Sequence, residues 1–268
     1  MFLVDSQIHL WADADYAAKM LQTAMSAEQV LAEMDAAGIT RAYLVPGHTA
    51  ANPLCRDAAR RWPDRFRALA LLALDKPESR ELMEGWARTG QAGFVGLRLT
   101  FPPYRKVSWL DDGTADWLWP IANQLALPVM IWAPLQAAAI DRLAAAWPRV
   151  RFIVDHLNLF VADKGDTVTQ AVDAVLPLAR HRNVAVKVSS LPAHSSETFP
   201  WRDMHPHVQR AVQAFGAERA LWATDLTRRA CSAREAVQMF TQHMPFLDEA
   251  QLRQVMGGAA TRWIGWQE

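Results

Sequence analysis

Short apolar runs alternate with amphipathic stretches along the whole chain. Phe2 to His9 (FLVDSQIH) is a β-prone run, and Ser26 followed by Gln29 carries the signature of a capping box, opening an amphipathic helix that Gly38 closes. The alternation continues through strand 41–45 (RAYLV), helix 53–62, the apolar run 66–74, a helix over 77–88 with Pro77 at its tolerant first position, and strand 93–100 (GFVGLRLT). It ends with helix 115–126, strand 128–132, helix 135–146, strand 150–155, helix 167–181, strand 183–189, helix 206–215 and strand 219–224. These are eight strands, each followed by helical sequence and apolar enough to be buried on both faces. The pattern predicts one α/β domain over residues 1–268, a single (β/α)8 TIM barrel, with an open doubly wound sheet as the alternative. Residues 101–113, with two prolines and paired Asp, are long for a strand-to-helix connection and read as a lid or binding loop.

Composition narrows the function. The 268 residues are 51% hydrophobic, ample for a large core, and 28 Lys and Arg balance 28 Asp and Glu. Zero net charge removes the field a nucleic-acid binder needs, so a small-molecule substrate is expected. Cys55 and Cys231 are too few and too far apart for a disulfide scaffold or thiolate cluster. Neither a leader-like start nor a run of roughly 18 apolar residues is present, so the reading is a cytoplasmic protein without membrane contact, monomer or homodimer. The glycine loops that cradle nucleotide phosphates are missing.

In a barrel the active site forms at the carboxyl ends of the strands. Strand one delivers Asp5, Gln7 and His9, which alternation places on one face. Strand six ends in Asp155-His156, pointing to opposite faces so that one looks inward, and strand eight ends in Asp225. Each has a plain structural explanation, a hydrogen-bonded core histidine or a helix N-cap. Together, however, His9, His156 and Asp225 stand at the ends of strands one, six and eight, around one mouth. Arg98, inside an apolar run, needs a carboxylate partner, from a substrate or from Asp5 or another internal acid. Lys187 and Ser189 share a face of strand seven; the lysine could anchor an anion or sit in a structural ion pair. Trp132, His48 and Tyr104, with Trp11 and Trp109, could wall a pocket. His205-Pro206-His207 stands at a helix start and reads as capping or exposed.

The ordered segments VDSQIHLW, GLRLT, FIVDHLN, NVAVKVSSL and LWATDLTR, spread from Val4 to Trp266, resemble the amidohydrolase-related TIM-barrel family, in its branch of sugar lactonases and pyrone-dicarboxylate lactonase. Strand one of that family reads Asp-x-His-x-His-x-Trp, whereas here Gln7 replaces the first histidine. The resemblance implies a hydrolase. Gln7, His9, His156 and Asp225 would be the metal set, able to hold one zinc or manganese ion weakly, because a neutral amide oxygen is a poor zinc ligand. It also implies that some lactonases work without metal while decarboxylases depend on it, and Gln7 favours the metal-free route with no required cofactor.

Opening a lactone needs a base for water, donors for the oxyanion and an anchor. The expected roles are Asp225 as base, His9 and His156 polarising the carbonyl with the Gln7 amide as a further donor, and Arg98, Lys187, Ser189, Trp132, His48 and Tyr104 around the substrate. The alternatives are a metal-dependent decarboxylase of an aromatic or enoic acid, and a catalytically inactive barrel serving as a binding protein.

Overall fold

Eight parallel strands follow one another around the sheet in chain order: β1 Val4–Ile8, β2 Arg41–Leu44, β3 Phe66–Leu71, β4 Gly96–Thr100, β5 Pro128–Trp132, β6 Arg151–Val154, β7 Val184–Ser189 and β8 Ala220–Ala223. The computed structural model describes residues 1–90, 92–102, 109–228 and 230–266. Helices between the strands complete a nearly closed (β/α)8 TIM barrel.

Strand alternation sorts the core into two layers. Leu44, Phe66, Leu97, Val129, Phe152, Val186 and Trp222 pack outward under the helices. Tyr43, Leu69, Met130, Ile153, Ala185 and Leu221 point inward and meet Ala259, Ala260 and Ile264 of the C-terminal segment, which fills the floor. Trp266 seals that end, held between the guanidinium groups of Arg41 and Arg67 at 4.8 and 4.5 Å. The capping box forms as its sequence dictates: Ser26 accepts from the Gln29 amide, Gln29 accepts from that of Ser26, and Gly38 ends helix Ala27–Ala37 at φ 73°. Among the described residues no helix is long and apolar enough to cross a membrane.

Two irregularities position the site. In β1 the register shifts between Asp5 and Ile8, so Val4 joins the inner cluster and yet Gln7 also faces the interior. Asp5 therefore does not share the orientation that simple alternation gives it. Its carboxylate accepts from the backbone N–H of Gln7 (2.9 Å) and from Thr224 Oγ1 (2.5 Å), and so stitches β8 to β1. Burial outweighs these bonds and pushes the Asp5 carboxyl up to about 7.

At the upper rim, β6, β7 and β8 run into left-handed backbone: His156, Leu157 and Asn158 at φ 53, 52 and 57°, Ser190 at 57° and Asp225 at 53°. None is glycine, and such conformations cost about 1–3 kcal/mol each. Asn158 offsets part of this by pairing both ends of its amide with the Ala133 backbone, at 2.9 and 2.8 Å.

Candidate active site

The strand ends open into a cavity of about 640 Å³ whose floor is Gln7, His9, Arg98, His156 and Asp225. His9, His156 and Asp225 are buried and converge there. His9 Nε2 lies 3.2 Å from Asp225 Oδ1, while the Gln7 amide nitrogen lies 2.9 Å from His156 Nε2 and 3.3 Å from His9 Nε2. Alternation had turned Asp155 and His156 to opposite faces. In the structure both reach the interior, because the left-handed turn at His156 interrupts the period-two pattern.

Beneath the floor, Asp155 is fully buried between two cations, Arg98 Nη1 at 2.5 Å and Lys187 Nζ at 2.8 Å. Burial alone would raise the Asp155 carboxyl, but Arg98 and Lys187 reverse this and hold it below the ordinary carboxylate range. Burial likewise lowers the Lys187 ammonium to about 8, with Asp155 pulling the other way. Both cations also donate to Gln7 Oε1, Arg98 at 3.0 Å and Lys187 at 2.6 Å. A guanidinium and an ammonium have no acceptor, so the atom they share must be the amide oxygen. That fixes the other end of the amide: its NH2 faces the two imidazoles.

The proton positions follow. His9 Nδ1 donates to the Val45 carbonyl at 2.5 Å, and His156 Nδ1 pairs with Ser189 Oγ at 2.8 Å. Because the Gln7 NH2 can only donate, His156 Nε2 accepts and its Nδ1 carries the hydrogen. Burial pushes His156 down to about 3, so it stays neutral. With its Nε2 lone pair turned to Gln7, His156 carries no hydrogen at that atom to polarise a carbonyl, and the Gln7 hydrogens face the imidazoles.

Asp225 is held on one side. Ser190 Oγ donates to its Oδ2 at 2.5 Å, while Oδ1 has no hydrogen-bond partner among the described residues, the His9 contact being out of line. Burial by itself would push the Asp225 carboxyl up. Contact with His9 and the nearby His156 and Arg228 outweigh it, so the group stays ionised, well below the usual range. Ser190 is missing from the sequence-derived set; beside Ser189, nothing in the sequence marks it.

The other expected residues divide. His48 and Trp132 line the cavity, His48 edge-on to Tyr16 (4.9 Å between ring centres) and Trp132 donating to the Leu159 carbonyl (2.8 Å). Arg98 combines both readings offered for it, an internal pair with Asp155 and a place on the floor, and its Nε has no partner among the described residues. Ser189 and Lys187 lie behind the lining and touch Gln7 or His156 instead. Tyr104 falls outside the described residues. His205 begins its helix as read, with Nε2 donating to the Pro200 carbonyl.

The four residues of the implied metal set were weighed against this geometry. The Gln7 oxygen is turned away toward Arg98 and Lys187, and N–H bonds occupy the place where a cation would lie between the imidazoles. Among the described residues no group of three or more His, Cys, Asp or Glu is arranged to hold a metal ion. As arranged, the set does not fit a divalent cation.

Comparison with known proteins gives a consistent picture. A family model described as amidohydrolase matches residues 4–266. An L-fucono-1,5-lactonase from Burkholderia ambifaria is 27% identical over 137 residues, 49% of this chain and 46% of that protein, so the match spans less than half of the relative's length. An amidohydrolase from Burkholderia multivorans, solved with bound zinc, superposes with a TM-score of 0.81 at 17% identity, covering 100% of both chains. A putative 2-pyrone-4,6-dicarboxylic acid hydrolase from Pseudomonas putida gives 0.76 at 20% identity, covering 100% of this chain and 98% of that one. At such identities these two likenesses concern the fold.

Proposed function

The chain belongs to the amidohydrolase family, an enzyme family, and on that premise we propose that it is a hydrolase opening a lactone or related carboxylic ester of a small, carboxylated or polyhydroxylated ring compound. The observation that carries this reading is Asp225 Oδ1, a buried carboxylate oxygen on the cavity floor with no aligned donor among the described residues, 3.2 Å from His9 Nε2. The partial likeness to a lactonase supports the same class.

In this mechanism a water on Asp225 attacks the ester carbonyl carbon and passes its proton to Oδ1. The tetrahedral intermediate then breaks its bond to the ring oxygen, and Asp225 returns the proton to the leaving alkoxide. His9, with its Nδ1 hydrogen on the Val45 carbonyl and its Nε2 facing the Gln7 amide nitrogen, has no hydrogen to offer the carbonyl oxygen and instead walls the floor beside Asp225 Oδ1, where the attacking water sits. Arg98, which lines the cavity floor, offers its guanidinium to a substrate carboxylate, and Trp132 and His48 wall the ring.

The test is a panel of aldonolactones and carboxylated muconolactone-like compounds, assayed with and without chelator. Turnover that survives chelation and disappears in Asp225→Asn is expected. Turnover of aromatic or enoic acids with loss of carbon dioxide, abolished by chelation, would replace this reading with the decarboxylase. No turnover, with ligand binding unchanged in Asp225→Asn, would replace it with a binding protein.

A further inference from the structure

We propose that the Gln7 carboxamide takes the place a divalent ion would hold between His9 and His156, linking the imidazoles through its own N–H bonds, and that the buried Arg98, Asp155 and Lys187 close the site to metal by fixing which end of the amide faces them. The inference concerns the architecture of the site and holds whether or not a lactone is the substrate.

The orientation is forced from the cation end. Lys187 Nζ donates to Gln7 Oε1 at 2.6 Å and to Met130 Sδ at 2.9 Å and forms an ion pair with Asp155 Oδ1 at 2.8 Å. Arg98 Nη1 divides between Asp155 Oδ2 and Gln7 Oε1. Two cations against one carboxylate leave one positive charge in excess, and the amide oxygen is the neutral acceptor that completes their shell. Turning the amide over would set its NH2 against both cations, which can only donate, and both of those contacts would become repulsive. A divalent ion between the imidazoles would meet two N–H bonds instead of a ligand oxygen, with the excess positive charge of the cluster directly behind them.

Lys187 is thus a positioning residue. It is completely buried, does not line the cavity, and acts on the histidines through Gln7. The imidazoles are preset by the same logic, each engaging its Nδ1 away from Gln7, on Val45 and Ser189.

The test reads metal content and tautomers, not turnover. Wild-type protein is equilibrated with zinc chloride, dialysed against metal-free buffer and analysed for zinc, and long-range proton–nitrogen correlation spectra report which ring nitrogen of each histidine is protonated. Zinc well below one equivalent and a His156 proton on Nδ1 are expected. In Lys187→Met, where Asp155 keeps Arg98 as partner, the amide oxygen loses its closer donor and keeps only Arg98 at 3.0 Å, so it turns inward more readily, and zinc affinity rises about 10- to 100-fold, the size of effect that groups behind a metal ligand exert. One tightly held zinc in the wild type, or a His156 proton on Nε2, would overturn the proposal. A folded Lys187→Met with unchanged zinc uptake and tautomers would overturn the role given to the cluster. Should that variant fail to fold, the wild-type measurements decide alone, and a failed lactone screen bears on neither.

Discussion

Asp155→Asn is the sharpest probe of the buried charges. The substitution keeps shape and volume but leaves Arg98 and Lys187, both buried, without the carboxylate they now touch at 2.5 and 2.8 Å. Breaking a buried pair in this way costs about 3–5 kcal/mol, because the remaining charges stay desolvated. For a chain of this size roughly 2 °C of Tm accompanies each kcal/mol, so a fall of about 6–10 °C is expected by calorimetry. The loss depends on pH with a definite sign. Arg98 cannot shed its proton, but Lys187 can. Its folded pKa is already lowered by burial to about 8 against an ordinary 10.5, so between these values the unfolded chain binds more protons and wild-type stability rises with pH. Removing Asp155, which holds that value up, starts the rise at lower pH in the variant. The penalty relative to wild type therefore shrinks from about pH 6 to about pH 8. A fall in Tm of less than about 2 °C, or a penalty constant across that range, would refute the assignment of Asp155 as counter-ion to both cations.

Asp225→Asn should lower kcat for the substrate found in the lactone panel by about 10²–10⁴-fold, since the amide cannot take the proton of water; a folded variant within tenfold of wild type excludes Asp225 as base. His156, pushed by burial to about 3, should show no titration between about pH 5 and 8 when its ring carbon shifts are followed by NMR, and a midpoint in that range would contradict the neutral tautomer. Asp5, raised by burial to about 7 from 3.8, binds a proton in the folded state that the unfolded chain releases, so wild-type stability falls as pH climbs through that window. Asp5→Asn should flatten the decline in urea midpoints, and an unaltered slope would remove Asp5 as its source.

The barrel was legible in the chain because its signals are local and periodic. Apolar runs at β4 to β7 and capping residues Ser26, Gln29 and Gly38 state their structure within a few positions. The convergence of His9, His156 and Asp225 on one cavity was legible too, since each ends an apolar run. What the sequence does not carry is the sense of the backbone where strands stop. His156, Ser190 and Asp225 adopt left-handed angles without glycine, so strand alternation misdirects His156 and leaves Ser190 unmarked. The shift within β1 escapes for the same reason, being decided by closure onto β8. Helix Ala14–Lys19 is too short to show a period. The partner of Arg98 was undecidable because Asp155 lies on another strand, and the choice between an amide oxygen and an amide nitrogen at Gln7 rests on Lys187, 180 positions away.

Residue 7 and the cluster beneath it are coupled, and the coupling bears on how the site could change. A histidine at position 7 would meet Lys187 and Arg98 where Gln7 Oε1 does now, and since both can only donate, the ring nitrogen facing them would have to accept. Its proton would then sit on the other nitrogen, the one turned to His9 and His156, where a metal needs a lone pair. Gln7→His alone should therefore restore little zinc binding, although it recreates the sequence pattern of strand one in the family it resembles. Gln7→His with Lys187→Met removes the closer of the two donors that fix the proton on the wrong side, and should bind zinc more tightly than the two single effects combined. A double-mutant cycle on zinc affinity, by competition with a chelating dye, should give a coupling of about 0.5–3 kcal/mol, the range for residues within one hydrogen-bond network. Additive effects would mean that Lys187 does not act through residue 7.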